Sequence, residues 1–198
     1  MKMLLLFLLA FITLQANSQN KTAYLEKNRF DLNASNFRFP QSDFKIIGFG
    51  AYHGSAKTEK VEYALLKSLT KDGTIKYYLP ETDFSIAHYF NQYLNTGDSL
   101  LLKDLVYNYG ARVPQEKSIE TYEKWKKIKL LNDKLQEKDK LTVVGIDLLV
   151  TYQYTSKHLL ELIDYNQNPN KYLQEIVNMV KLDTTDFSPN YTVILKRF

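Results

Sequence analysis

The chain has 198 residues and no cysteine, so neither disulfide bonds nor thiolate chemistry contributes to its fold or function. Its formal charge of +4 arises from 26 basic and 22 acidic residues that are interleaved, which gives no support to nucleic-acid binding. The length suits one domain with a sizeable core.

The N-terminal residues have the pattern of a cleavable export signal. Lys2 precedes an apolar run at residues 4–14 that is too short to span a bilayer, and Ala16 and Ser18 provide the small residues of a cleavage site. We therefore predict a signal peptide at 1–18 and a periplasmic or secreted protein that does not associate with membranes after cleavage. The alternative is a retained membrane-tethering helix.

Residues 19–42 are rich in Asn, Lys and Ser and lack periodicity, so they are expected to form a surface lead-in with at most one short element. The domain proper is predicted to occupy 43–198. Its first unit is a buried strand at 44–49, a glycine-rich turn at 50–54, and a helix for which Ser55 or Thr58 is the candidate cap.

The remaining elements continue this alternation. A second unit comprises a strand at 75–79, a turn at 80–83, and a helix from Ser85 to Leu94 that Asp83 caps and Gly97 ends. A third strand follows later in the chain and ends at Asp147. This third strand is predicted at 141–146, and the remaining helices are predicted at 100–107, 118–136, 157–163 and 171–180.

Strands that alternate with helices predict an α/β fold, with a mostly parallel sheet and helices on both of its faces. Residues 190–198 have the composition of the start of a helix or strand, and no turn signal follows to end it. We therefore expect the α/β domain to be incomplete at its C-terminus.

An ionisable side chain follows each of the three predicted strands. His53 follows the first strand, Glu81 the second and Asp147 the third, and ligands of open parallel sheets bind at this rim. An imidazole beside a carboxylate is a general base, because the acid fixes the tautomer and stabilises the imidazolium. We therefore predict three catalytic residues that act on a small-molecule substrate: His53 as the general base, Glu81 as the acid that orients it, and Asp147 as the residue that positions the substrate or a further proton.

Four neighbouring residues are predicted to bind substrate, because glycines in the turn allow backbone amides to approach an anion closely. They are Gly50, Tyr52, Gly54 and Asp83. The alternatives are structural: helix capping by His53, Glu81 or Asp83 and a turn-stabilising role for Asp147.

No resident cofactor is predicted. A metal site built from His53, Glu81 and Asp147 is an alternative, although no HExxH or paired-His spacing supports it. His88 and His158 lie among apolar neighbours in predicted helices, where histidines usually have a packing role.

Three short motifs carry a resemblance to a known family. The turn Gly50-Ala51-Tyr52-His53-Gly54, the segment Leu79-Pro80-Glu81 and the strand end Gly145-Ile146-Asp147 resemble those of erythromycin esterase-like proteins, within roughly residues 44–163. That family belongs to a wider group with the ChaN, TraB and Tiki proteins. The resemblance implies an α/β hydrolase in which a histidine activates water to open an ester or lactone.

The wider group also implies two other functions. One is haem or metal binding in the same cleft, with Tyr52 and His53 as candidate ligands. The other is an inactive homologue, because Ala51 lies where members carry a glutamate and no second histidine motif follows Asp147.

Overall fold

The computed structural model describes residues 21–32, 34, 37–40, 43–50, 52–71, 73, 75–109, 114–149, 152–162 and 170–182. These residues belong to two compact units, 1–37 and 38–198. The predicted signal peptide and residues 190–198 lie outside the described part of the chain. None of the described helices combines the length and the apolar character that crossing a bilayer requires.

The first unit contains one described helix, α1, at residues 21–28. Beyond this helix, the rings of Phe30 and Phe37 meet edge to face with their centroids 6.1 Å apart. Residues 21–28 lie within the segment that the sequence predicts as a lead-in.

The second unit has an α/β fold in which helix predominates. Its two strands are β1 (Tyr77–Tyr78) and β2 (Thr142–Val143), and 3-10 turns occur at Pro114–Glu116 and Glu137–Asp139. The helices are α2 (Ala56–Thr70), α3 (Phe84–Thr96), α4 (Ser99–Tyr109), α5 (Ile119–Asn132), α6 (Tyr152–Leu162) and α7 (Lys171–Leu182). The helices predicted in this unit and the second and third strands are therefore confirmed as elements, the strands being shorter than expected.

The strands β1 and β2 pair in parallel, with Tyr77 opposite Thr142 and Tyr78 opposite Val143. The side chain of Asn91 in α3 closes the other edge of β2: its Nδ2 donates to the Val143 carbonyl and its Oδ1 accepts from the Val143 amide, each at 2.8 Å. Since both backbone groups of Val143 are satisfied there, this edge cannot accept another strand at that residue.

The predicted buried strand at 44–49 was wrong. These residues are assigned to no strand, and Phe44 and Ile46 are 63% and 88% exposed. The apolar composition of the run predicted burial, but a strand also needs a neighbour, and within the described residues the sheet consists of β1 and β2 alone. A mostly parallel sheet built on three strands is therefore not what the described residues form.

Aromatic packing joins α3, α5 and the sheet. Trp125 of α5 stacks on Phe90 of α3, with centroids 3.7 Å apart and an interplanar angle of 10°, and Tyr78 of β1 lies 5.7 Å from Trp125. All three rings are buried in one apolar cluster. This cluster holds the carboxyl end of β1 at a fixed position relative to α3 and α5.

The turn after β1 has the capped geometry that the sequence predicts. Asp83 accepts hydrogen bonds from the amides of Ser85 and Ile86 at 2.9 Å each, so α3 begins at Phe84. At the other end of α3, Gly97 adopts φ 74°, a left-handed conformation that favours glycine. Both boundaries of α3 therefore follow from local chemistry.

Candidate functional site

His53 lies in the turn that leads into α2. Gly54, the next residue, has φ 74°, a backbone conformation that would be strained in a residue with a side chain. The Thr58 hydroxyl in the first turn of α2 donates a hydrogen bond to the Tyr52 carbonyl at 3.1 Å. Ser55 occupies the N-cap position but its side chain makes no capping hydrogen bond. The turn thus presents the His53 side chain at the surface, 44% exposed.

Two carboxylates flank the His53 imidazole, one at each ring nitrogen. Nδ1 lies 3.3 Å from Oε1 of Glu116, and Nε2 lies 3.7 Å from Oε2 of Glu81. The Glu116 side chain is 13% exposed, whereas that of Glu81 is 52% exposed. Nδ1 is therefore within hydrogen-bonding range of a largely buried side chain, whereas Nε2 faces an exposed one from beyond that range.

The N-terminus of α5 fixes Glu116. Its Oε2 accepts from the Thr121 hydroxyl at 3.3 Å, and Ser118, which caps α5, accepts from the Thr121 amide at 3.2 Å. Since an ionised carboxylate can only accept, Nδ1 of His53 must be the donor towards Glu116. The pair therefore selects the tautomer in which Nε2 carries a free lone pair.

The sequence prediction missed Glu116. It ends the 3-10 turn Pro114–Glu116, and 63 positions separate it from His53, so no spacing rule links the two residues. The signal that was present is indirect: an acid two residues before the Ser118 cap lies next to a helix N-terminus, which favours negative charge.

Glu81 and Asp147 follow neighbouring parallel strands, as predicted. The Thr82 carbonyl accepts from the amides of Ile146 at 3.0 Å and of Asp147 at 3.1 Å, so the two strand ends meet at one rim. The Asp147 carboxylate accepts from the Leu148 amide at 2.7 Å and is not among the groups that contact His53 in the described residues. The structure therefore brings together His53 and Glu81 but leaves Asp147 beside them rather than on the imidazole.

The predicted substrate-binding residues differ in their surroundings. Tyr52 is 83% exposed, Gly50 is exposed, and a Cβ added to Gly50 would meet no atom within 4 Å. Asp83 is fully buried and serves as the cap of α3, which is the structural alternative that the sequence left open. Gly54 and Tyr52 thus border the His53 turn, while Asp83 lies beneath the surface.

A buried ion-pair cluster lies next to Glu116. Nζ of Lys124 in α5 lies 2.7 Å from Oε2 of Glu59 and 2.6 Å from Oε2 of Glu62, and the Tyr78 hydroxyl donates to Glu62. Burial by itself would lower the pKa of Lys124, but Glu62 and Glu59 outweigh it and raise that pKa. Lys124 is therefore a fixed cation.

The acids in this cluster compete for that cation. Burial raises the pKa of Glu59, Lys124 opposes this rise, and Glu62 and Glu116 add to it. Glu59 and Glu116 also line the same small cavity, of about 90 Å³, whose wall includes Gly54, Ser55, Ser118 and Thr121. The negative charge on the Nδ1 side of His53 thus belongs to an extended cluster that Lys124 partly neutralises.

The other two histidines form a separate cluster between α3 and α6. The rings of His88 and His158 stack with centroids 4.0 Å apart, His88 Nε2 lies 3.0 Å from Oε2 of Glu161, and His158 Nδ1 lies 3.2 Å from the Ser85 hydroxyl. Burial, and next the neighbouring His88, lowers the pKa of His158. These contacts match the packing role that the sequence predicts.

No group of three or more His, Cys, Asp or Glu side chains with metal-binding geometry occurs among the residues that the structure describes. At His53 the reason is visible, because Glu81 and Glu116 lie at opposite nitrogens. One ion cannot contact a single ring nitrogen and both carboxylates in this arrangement.

Comparisons of the chain with protein-family models, curated proteins and solved structures gave no match.

Proposed function

We propose that this chain is an exported esterase-like hydrolase that uses His53 as a general base to cleave an ester or lactone. The observation that carries the proposal is the 3.3 Å contact between Nδ1 of His53 and the largely buried Glu116 side chain, with Nε2 on the side of the exposed Glu81 carboxylate. An oriented imidazole with one accessible nitrogen is the usual form of a general base in hydrolysis.

The reaction follows from this orientation. Nε2 removes a proton from a water molecule while the water oxygen adds to the carbonyl carbon of the ester. The carbon–oxygen bond to the alcohol then breaks, and the imidazolium returns its proton to the departing alkoxide, giving a carboxylic acid and an alcohol. Glu116 stabilises the imidazolium between these two steps.

Glu81 has a different role from the one that the sequence predicts. At 3.7 Å from Nε2 it is too far for a direct hydrogen bond, and the separation suits a carboxylate that accepts a hydrogen bond from the second O–H of the attacking water without taking that proton. Asp147, held at the same rim by its amide, is proposed to position the substrate. Export is part of the proposal and follows from the signal pattern in residues 1–18.

The test is hydrolysis of 4-nitrophenyl butyrate and of a panel of lactones by the mature chain and by His53→Gln. We expect His53→Gln to lower kcat/KM by about 100-fold or more with its melting temperature nearly unchanged, since general-base catalysis contributes about that factor. His88→Gln is a matched control: the His88 side chain is 40% exposed and also contacts a carboxylate, Glu161. Its activity should stay within about twofold of the parent.

Two results would contradict the proposal. One is an equal loss of activity in both histidine variants, which would indicate unspecific surface catalysis. The other is a folded parent protein whose rate does not exceed that of His53→Gln on any ester or lactone.

A further inference from the structure

A largely apolar groove lies between α4 and the start of α5. Its volume is about 420 Å³, which is within the range of small-molecule sites. Apolar side chains form most of its wall, and two of them, Leu100 and Ile119, are 77% and 65% exposed. The apolar lining consists of Leu100, Val106, Tyr107, Ile119 and Tyr122.

The charges at this groove are mainly positive. Lys103 and Lys117 both line it, and neither forms an ion pair with a carboxylate in the described part of the chain. Nζ of Lys117 instead lies 3.1 Å from the centroid of the Tyr107 ring. The acid in the lining, Asp104, accepts a hydrogen bond from the buried Tyr154 hydroxyl, so part of its charge is already compensated.

The groove adjoins the His53 site. Ser118 lines both this groove and the small cavity that contains Glu116. Lys117, which precedes Ser118 in the chain, also lines the groove, and its Nζ lies against the Tyr107 ring. An apolar chain in the groove therefore lies beside a cation, in a groove that shares Ser118 with the cavity lined by Glu116.

We propose that this groove binds an aliphatic monocarboxylate, the acyl part of the ester that the enzyme cleaves. The apolar wall contacts the acyl chain, and Lys103 and Lys117 attract the carboxylate that hydrolysis produces. This substrate class rests on the proposed function, whereas binding of the free acid does not require turnover.

The test is calorimetric titration of the mature chain with octanoate, with octylammonium as the probe of opposite charge. Octanoate should bind saturably and at least about fivefold more tightly than octylammonium. Lys103→Gln combined with Lys117→Gln should weaken octanoate binding by about fivefold to tenfold, since exposed charge pairs contribute modestly. Lys126→Gln, which removes an exposed charge from α5 outside the groove lining, should leave octanoate binding within about twofold.

His53→Gln separates this inference from the proposed function. Octanoate binding should be the same in His53→Gln as in the parent, because His53 does not line the groove. Octanoate binding without any ester cleavage would refute the hydrolase and leave the groove assignment standing. Saturable binding that is equal for octanoate and octylammonium, or no binding at millimolar octanoate, would overturn the groove assignment.

Discussion

Glu116 accepts a hydrogen bond from Nδ1 of His53 at 3.3 Å, although 63 positions separate the two residues in the chain. This contact decides which nitrogen of His53 is free. The sequence assigned the orienting role to Glu81, but the Glu81 carboxylate faces the other nitrogen from 3.7 Å. The proposed general-base role of His53 therefore depends on its contact with Glu116.

Glu116→Gln should lower kcat by about 10-fold to 100-fold with little change in KM. The amide keeps the shape of the side chain but can donate to Nδ1, which allows the unproductive tautomer and removes the charge that stabilises the imidazolium. Glu120→Gln is the matched control, because Glu120 lines the same cavity and makes no contact with His53. Steady-state kinetics with the best ester of the panel measures kcat and KM of both variants. An equal loss of kcat in Glu116→Gln and Glu120→Gln would refute the orienting role of Glu116.

Lys124→Met should lower the free energy of unfolding by about 3–5 kcal/mol, because it leaves Glu59 and Glu62 buried without their cation. Adding Glu59→Gln and Glu62→Gln should restore much of that loss, since no buried carboxylate then remains unpaired. Urea unfolding at neutral pH measures these differences.

The control for Lys124 is Lys126→Met on the exposed side of the same helix, which should leave the stability essentially unchanged. If the triple variant were no more stable than Lys124→Met, the loss would come from packing and not from unpaired charge.

Gly145→Ala should destabilise the protein by about 3 kcal/mol. A Cβ at Gly145 would lie 2.1 Å from the Asp83 carbonyl oxygen. Because that oxygen is a backbone atom and cannot rotate away, the segment after β2 and the turn that carries Glu81 must separate. At Gly48 a Cβ meets nothing within 4 Å, so Gly48→Ala should leave the melting temperature unchanged or slightly raised. Thermal unfolding of both variants checks this, and equal melting temperatures would contradict the close approach.

Stability should fall as the pH drops below about 6.5, and His158 should contribute to this fall. Burial and His88 lower the pKa of His158 from 6.5, while Glu161 and Asp83 oppose them. Between the lowered pKa and pH 6.5, the unfolded chain therefore binds more protons at His158 than the folded chain does. The contribution of His158 to stability is present above pH 6.5 and is lost as the pH falls through that window.

The measurement is the free energy of unfolding from pH 7.5 to pH 5.0 for the parent and for His158→Gln. Glutamine can still pair with the Ser85 hydroxyl, so the variant should fold and show a shallower slope. An unchanged slope would show that His158 does not contribute.

The sequence predicted the elements whose signals are local. Asp83 marks the start of α3 by side-chain capping, and Gly97 marks its end by adopting a left-handed conformation. Ser118 marks the start of α5, again by side-chain capping. Each of these signals acts within a few residues, so reading the chain in order is sufficient to find it.

The features that the sequence reasoning missed depend on distant contacts. The run 44–49 has the composition of a strand, but strand pairing requires a neighbour that composition does not specify. Glu116 reaches His53 because α5 packs beside α2, and that packing is fixed by tertiary contacts such as the ion pairs of Lys124 with Glu59 and Glu62. The general rule for parallel strands accounts for the shared rim of Glu81 and Asp147, which follow paired strands, whereas His53 reaches Glu81 from a turn that no described strand precedes.

The most direct test of the central claim is the tautomer of His53, read from the ¹⁵N chemical shifts of its ring at a pH where the ring is neutral. We expect Nδ1 to carry the proton and Nε2 to lack it, and we expect Glu116→Gln to weaken this preference. A neutral ring protonated at Nε2, or a tautomer that Glu116→Gln leaves unchanged, would contradict this expectation.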